Sequence, residues 1–202
     1  MKIEFRNLYN KFFGNNAKQS LNGATAFQLL NRTLASYSGF NGGIYDEATV
    51  RSCIHSIATN CAKLKPQHRL QKKVANSALN RMLWLRPNQY MSSYDFIYKT
   101  VTQLYCTNNA FIYIHRDEWG KIIGFYPVNY SNLRLLNYQG EMFAEFSFLC
   151  GKRVCLPYTD LIHLRRHFNE DDIFGELQRE VLRTPLDVLQ TINQGIMNTI
   201  KL

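Results

Sequence analysis

The sequence lacks the signatures that announce most enzymes. Gly120-Lys121 and Gly151-Lys152 are Gly-Lys pairs, but neither has a glycine five residues earlier or a Ser or Thr after it, so neither opens a phosphate-cradling loop. No Gly-x-Ser-x-Gly elbow and no His-Glu-x-x-His occurs. A nucleotide-driven motor and the common hydrolases are thereby disfavoured, and no cofactor is expected. There is also no apolar run of about eighteen residues. The first residues carry Lys2, Glu4 and Arg6 with no small-residue cleavage site, so neither a membrane span nor a signal peptide is expected. Cysteine is sparse and unpaired in pattern: Cys53, Cys61, Cys106, Cys150 and Cys155 are odd in number and form no Cys-x-x-Cys. That usage points to a reducing compartment. Cys53 and Cys61 fall on an apolar helix face, where burial as small hydrophobes is expected. Acids are scarce too, 15 against 24 Lys plus Arg, for a net charge of +9, which makes polyanions plausible partners.

What is present is enough for a core: 202 residues, 46% hydrophobic. The most organised stretch runs from Trp84 to Val128. Ser92, with Asp95 three residues on, predicts the cap of a helix over 92–106, in which Tyr94, Ile97, Tyr98, Val101, Leu104 and Tyr105 form one apolar face. After Asn108-Asn109 the period becomes that of a strand over 110–115. A turn at Asp117-Glu118-Trp119-Gly120 leads to a second strand over 121–126, stopped by Pro127.

Upstream, residues 1–44 read as an arm, polar and closed by Gly42-Gly43. Phe5, Leu8, Tyr9, Phe12 and Phe13 would make a short sticky helix, docked on another surface or packed at home. A helix then starts at Asp46 or Glu47, with Val50, Cys53, Ile54, Ile57, Ala58, Cys61 and Leu64 on one face. A short helix carrying Leu79, Met82, Leu83 and Leu85 ends before Pro87. Downstream, short strands over 133–136, 142–148, 153–156 and 161–165, with a turn at 137–140, predict a small, mostly antiparallel sheet. The class is α+β, with amphipathic helices packed on that sheet. Residues 166–183 read as a charged linker. Thr184 as cap, Pro185 at the first helical position and Asp187 completing a capping box predict a last helix from 184, whose stripe of Leu189, Ile192, Ile196 and Ile200 runs to Leu202 without a terminal cap.

Three constellations invite chemistry. His163 and His167 are four apart, but in a strand their rings stand roughly 13 Å apart, too far to share an ion bound at about 2 Å by each; a metal site adding Cys150 and Cys155 is therefore not expected. Glu170-Asp171-Asp172 reads as a solvated acidic loop rather than an ion site. His163, Arg165 and Asp160 are the remaining candidates for an enzyme site, weighed against a structural role for a strand histidine. The 12 Tyr and 13 Phe offer stacking platforms for single-stranded nucleic acid, although most fall on the stripes assigned to the core.

In its order of features the chain resembles the N-terminal part of portal proteins of long-tailed bacteriophages, the siphovirus type. The resemblance covers about residues 45–202. It rests on the helix from Val50 to Pro66, on Arg86-Pro87-Asn88, Met91-Ser92 and Phe96, on Asn109-Ala110-Phe111 and on Tyr126-Pro127-Val128. It continues through Leu156-Pro157, the run from Asp160 through His163 to Arg165, and Thr184-Pro185-Leu186. Two positions where the family usually has glycine hold Asn108 and Arg183, which bears on the tightness of two turns. The resemblance implies a wing-like α+β domain over 45–183 and the start of a stem helix over 184–202, cut short. It implies a non-catalytic structural subunit of a ring of about twelve copies at the portal vertex of the capsid, the head-tail connector. Double-stranded DNA would be packaged and ejected through that ring, bound without sequence specificity. Partners would be the major capsid or scaffold protein, terminase, and head-completion or adaptor proteins, with no membrane; assembly would take place in the host bacterial cytoplasm. Arg179, Arg183 and Lys201 are the DNA-channel candidates. Pro66, Arg86, Pro87, Asn88, Asn109, Ala110, Pro127, Asp160, His163, Arg165 and Pro185 carry the structural pattern. The alternative from another class is a basic nucleic-acid-binding module without catalytic activity.

Overall fold

Two cores share one strand as their common wall. The structure, a computed structural model, describes residues 28–29, 37–38, 43–169, 172–176 and 179–200. Helix α1 spans Ala48–Ala62, α2 Ala78–Leu85, α3 Ser93–Thr107 and α4 Arg179–Ile200. Strand β5 (Asn109–Arg116) pairs antiparallel with β6 (Ile122–Pro127) on one side and β10 (Leu161–Arg165) on the other. Strand side chains alternate in direction, so Phe111 enters a core with Tyr130, Leu133, Leu135, Ala144, Phe146 and Leu161. Ile112 enters the other, with Phe96, Phe125 and the apolar residues of α2. Covered on both faces, Asn109 through Ile112 are all buried.

The single sheet expected from the sequence is divided. β7 (Asn132–Tyr138), β8 (Glu141–Ser147) and β9 (Arg153–Pro157) form a second antiparallel sheet with the short strands β1 (Gln28–Leu29) and β2 (Tyr37–Ser38), both paired to β7. The β5–β6 pairing extends one residue past Pro127, where Val128 N donates to Phe111 O at 2.8 Å; 129–131 then carry the chain over to the second sheet, where Ser131 N donates to Ser147 O. Within the stretch expected to be an arm, β1 and β2 lie along β7, while the expected helix around Phe5 to Phe13 lies outside the described residues. A third, two-stranded element, β3 (Arg69–Leu70) and β4 (Lys73–Val74), has no clear signal in the sequence. Its two turn residues, Gln71 and Lys72, both have positive φ. Such a turn is normally signalled by Asn-Gly or Asp-Gly, and neither is present.

The cap of α3 is as the sequence reads. Asp95 N donates to Ser92 Oγ at 3.2 Å, and Ser92 N donates to Asp95 Oδ2 at 3.3 Å. Its most buried line, however, is Phe96, Thr100 and Thr107 rather than the expected tyrosine-rich face, of which Tyr94 is exposed. Threonine tolerates this burial because Thr100 Oγ1 donates to Phe96 O at 2.8 Å and Thr107 Oγ1 to Gln103 O at 3.0 Å. The expected face lies between, half-covered, because α3 is flanked by α1 on one side and β5–β6 on the other. α1 buries only Ile54, Ala58 and Ala62; Cys53 and Leu64 are exposed and Cys61 is half-buried, which corrects their expected burial. Two alanines let α3 approach closely, and so narrow an interface leaves the next positions around the helix in water.

α4 begins five residues before the expected cap. Thr184 and Pro185 lie inside the helix instead of opening it, and 179–183 are helical rather than linker. Pro185, the seventh residue of the helix, has no N–H for the carbonyl four residues back, so the helix forgoes one backbone bond in its second turn.

Candidate functional site

The residues singled out in the sequence fall into two groups. One secures the outer end of the helical core: Trp84 Nε1 donates to Pro66 O at 2.6 Å, and Phe125 N to Pro87 O at 2.8 Å. Buried Asn88 donates to Phe125 O at 2.7 Å while its Oδ1 accepts from Tyr90 N at 2.9 Å. Arg86 ends α2 in extended conformation with its side chain in water. Ala110 is buried in β5, and Pro127 pairs with Ile112 at the end of β6.

The second group converges where the end of α3 meets β5 and β10. α3 ends on Asn108 in the left-handed conformation, φ 56°. Asparagine is the residue other than glycine that best accepts that conformation, so the missing glycine costs the turn little. The next residue, Asn109, is wholly buried. Its Nδ2 donates to Thr107 O at 3.1 Å and to Gly175 O at 2.9 Å; its Oδ1 accepts from Gly175 N at 2.8 Å. These bonds fix the amide orientation, so Oδ1 is also the acceptor facing His163 Nε2 at 2.9 Å. His163 is therefore protonated on Nε2, leaving Nδ1 to accept from the Tyr158 hydroxyl at 2.8 Å. The ring stacks on Phe111 at 4.0 Å and meets Phe174 edge-on.

Burial, with a smaller contribution from Arg165, holds the His163 pKa down to about 3. A neutral imidazole with both nitrogens bonded is a fastener rather than a general base at neutral pH. Asp160 turns to Arg116 at 3.2 Å; Arg165 donates to Ile173 O at 3.2 Å and lies 4.0 Å over Phe168. The three candidates for catalysis do not converge on an open site. His167 lies past the end of β10 with positive φ, and among the described residues no three His, Cys, Asp or Glu could hold a metal.

The stretch read as a linker supplies the other half of this clamp. Segment 172–176 folds back on the sheet: Phe174 is buried, Asn108 Nδ2 donates to Glu176 O, Arg166 N to Asn108 O, and Glu176 N to His167 O. Gly175 is required for space. A Cβ there would lie 2.5 Å from Asn108 O and closer still to the Arg166 carbonyl. Tyr158, Gly175 and Phe174 had no motif to mark them; the only local signal was Asn108 at a helix end.

α4 starts at Arg179. Val188, Ile192, Ile196 and Ile200, four residues apart, are each more than half exposed and make one apolar line in water. Arg179 and Arg183 stand on the first turns, with side chains outside the described residues; Lys201, Glu170 and Asp171 lie outside them entirely. No helix among the described residues is long and apolar enough to cross a membrane.

No curated protein matches the chain. Solved structures do. A chain from the neck of an empty GTA particle computed with C6 symmetry aligns with a TM-score of 0.64 at 12% identity, covering 78% of this chain and 44% of that one. One from the neck of a native GTA particle computed with C12 symmetry gives 0.61 at 12%, covering 80% and 44%. A chain from the virion of a native gene transfer agent (GTA) particle gives 0.60 at 11%, covering 78% and 43%. The chain thus spans under half the length of the structures it resembles, and shares their fold. The family model for phage portal proteins matches residues 48–201, from the first turn of α1 past the end of α4. The chain belongs to the phage portal protein family, a structural family of the virion.

Proposed function

We propose that this chain is the wing and the first part of the stem of a portal, a subunit that joins copies of itself into a ring of about twelve at one capsid vertex. DNA would be packaged and ejected through the ring. Residues 45 to about 178 serve as the wing, and α4, from Arg179, opens the stem. The observation that carries this reading is α4 itself, a long helix exposing an apolar line that single copies leave in water. The neck structures of similar fold were computed with C6 and C12 symmetry, which supports the ring. In this reading Arg179, Arg183 and Lys201 face DNA phosphates without sequence preference, the outer wing meets capsid or scaffold protein, and terminase and head-completion proteins dock on the assembled ring. Assembly takes place in the host bacterial cytoplasm.

Negative-stain imaging of the full product of the gene tests the proposal: rings with a central hole are expected, and compact monomers at high concentration would overturn it. The second reading, a nucleic-acid-binding module, is favoured by one observation: residues 48–94 contain eight Lys or Arg and no acid, and all eight are exposed. Titration with a short duplex at several salt concentrations decides it, since a phosphate-binding module loses affinity steeply as salt rises.

A further inference from the structure

The acid-free surface is not only basic. The β3–β4 hairpin, the turn at Pro66 and α2 form one unit, stitched by buried Asn80, whose Oδ1 accepts from His68 N and whose Nδ2 donates to Ala75 O. Ser77 caps α2 by accepting from Asn80 N at 3.3 Å, and Trp84 is pinned by its bond to Pro66 O. Among its lysines and arginines the unit exposes Leu70, Val74, Trp84 and Leu85. Beside them α2 and Ile123 of β6 border an open groove of about 650 Å³. Met82, Leu85 and Ile123 line it with apolar surface, and its two charged residues are Arg81 and Arg86. Neither arginine has an ion pair among the described residues. The next acid along the chain, Asp95, is held by the Ser92 cap.

A phosphate backbone would pair with the charges but leave the apolar side chains in water. A wholly apolar segment would cover those side chains but desolvate two guanidinium groups without a partner. We infer that the groove docks a segment of a different protein that is both acidic and apolar. Its carboxylates pair with Arg81 and Arg86, whose planar forks suit bidentate binding, and a side chain the size of leucine or phenylalanine fills the space among Met82, Leu85 and Ile123. The stretches of this chain that combine acids with large apolar residues are otherwise engaged: 141–146 lies in β8, 172–176 closes the clamp, and Glu118 beside Trp119 is flanked by Arg116 and Lys121. A second copy therefore has the wrong chemistry for the groove. Asn80 and Trp84 fix the unit before anything binds, so docking costs little ordering on this side. The inference names the chemistry of a partner and does not depend on the ring reading above.

The test selects binders for the full chain from a random peptide library, then titrates the enriched peptides and maps their photo-cross-links by mass spectrometry. Enriched sequences that combine Asp or Glu with Leu, Phe or Trp, and that cross-link to 78–89, are expected. Arg81→Glu and Leu85→Glu should each weaken their binding about tenfold while thermal unfolding stays unchanged, because both side chains are exposed. A peptide whose acids are exchanged for lysine should bind Arg81→Glu better than the parent chain. Enriched peptides without acids or without large apolar residues, peptides held equally by both variants, or a library that yields no binder would overturn the inference. Short duplex DNA that displaces the peptides and itself loses affinity in Arg81→Glu would assign the surface to phosphate instead. Rings seen alongside any of these failures leave the ring reading standing, and monomers that still select acidic, apolar peptides would sink the ring alone.

Discussion

The clamp that closes on 172–176 and the apolar line on α4 are near one another in sequence and opposite in physics. In the clamp, polar groups are buried and answered: Asn109 takes the Nε2–H of His163, both backbone groups of Gly175 and a helix-end carbonyl, and Tyr158 takes the other nitrogen of the histidine. On the helix, apolar groups stand in water, answered by nothing within the described residues. A satisfied buried network specifies one arrangement of a single chain, because any partial loss leaves unpaired groups in a low-dielectric site. An exposed apolar line defers its burial to assembly. On the proposed ring reading, the difference separates residues that serve folding from residues that serve the oligomer, and substitutions should tell them apart.

Asn109→Ala should have the largest effect. It leaves His163 Nε2–H and both backbone groups of Gly175 without partners, and should lower stability by about 4 kcal/mol, measured by denaturant unfolding. Gly175→Ala comes next, because its methyl would meet two backbone carbonyls; a loss of about 3 kcal/mol is expected, with faster amide exchange over 172–176. Acid comes third. The His163 pKa is about 3 in the folded chain against an ordinary histidine value of 6.5, so between those values only the unfolded chain takes up the proton. Stability is therefore full above about pH 6.5 and falls as the pH drops toward 3, by about 2 kcal/mol between pH 7 and 4.5 from this residue. His163→Phe should remove that share of the slope, seen as the difference between the two pH profiles.

On α4 the expectation reverses. Ile192→Glu and Ile196→Glu should change monomer stability by less than about 0.5 kcal/mol while abolishing ring formation by imaging; an unfolded variant would mean the line is packed within the copy. The smallest effect sharpens the picture of the wing surface. Exposed Cys53 and Cys150 should react with a thiol reagent before Cys106 and Cys155, whose thiols burial pushes up to about 11.

The sequence by itself determined the elements that rest on local chemistry. The Ser92 capping box, the strand period after Asn109, the turn before Gly140 and the stripe on the last helix were all legible, because each is enforced by residues within one turn of one another. The portal family was legible in the same way, as an order of local features. Tertiary structure decided what local chemistry leaves open. Thr100 and Thr107 line a core because their hydroxyls find backbone partners; Cys53 stays in water because α1 presents only two alanines and an isoleucine to α3. One expected sheet becomes two, because the chain leaves the β5–β6 ladder after Val128. The segment 172–176 becomes half of a buried clamp, since only the assembled fold brings Gly175 to Asn109 across 66 residues of chain.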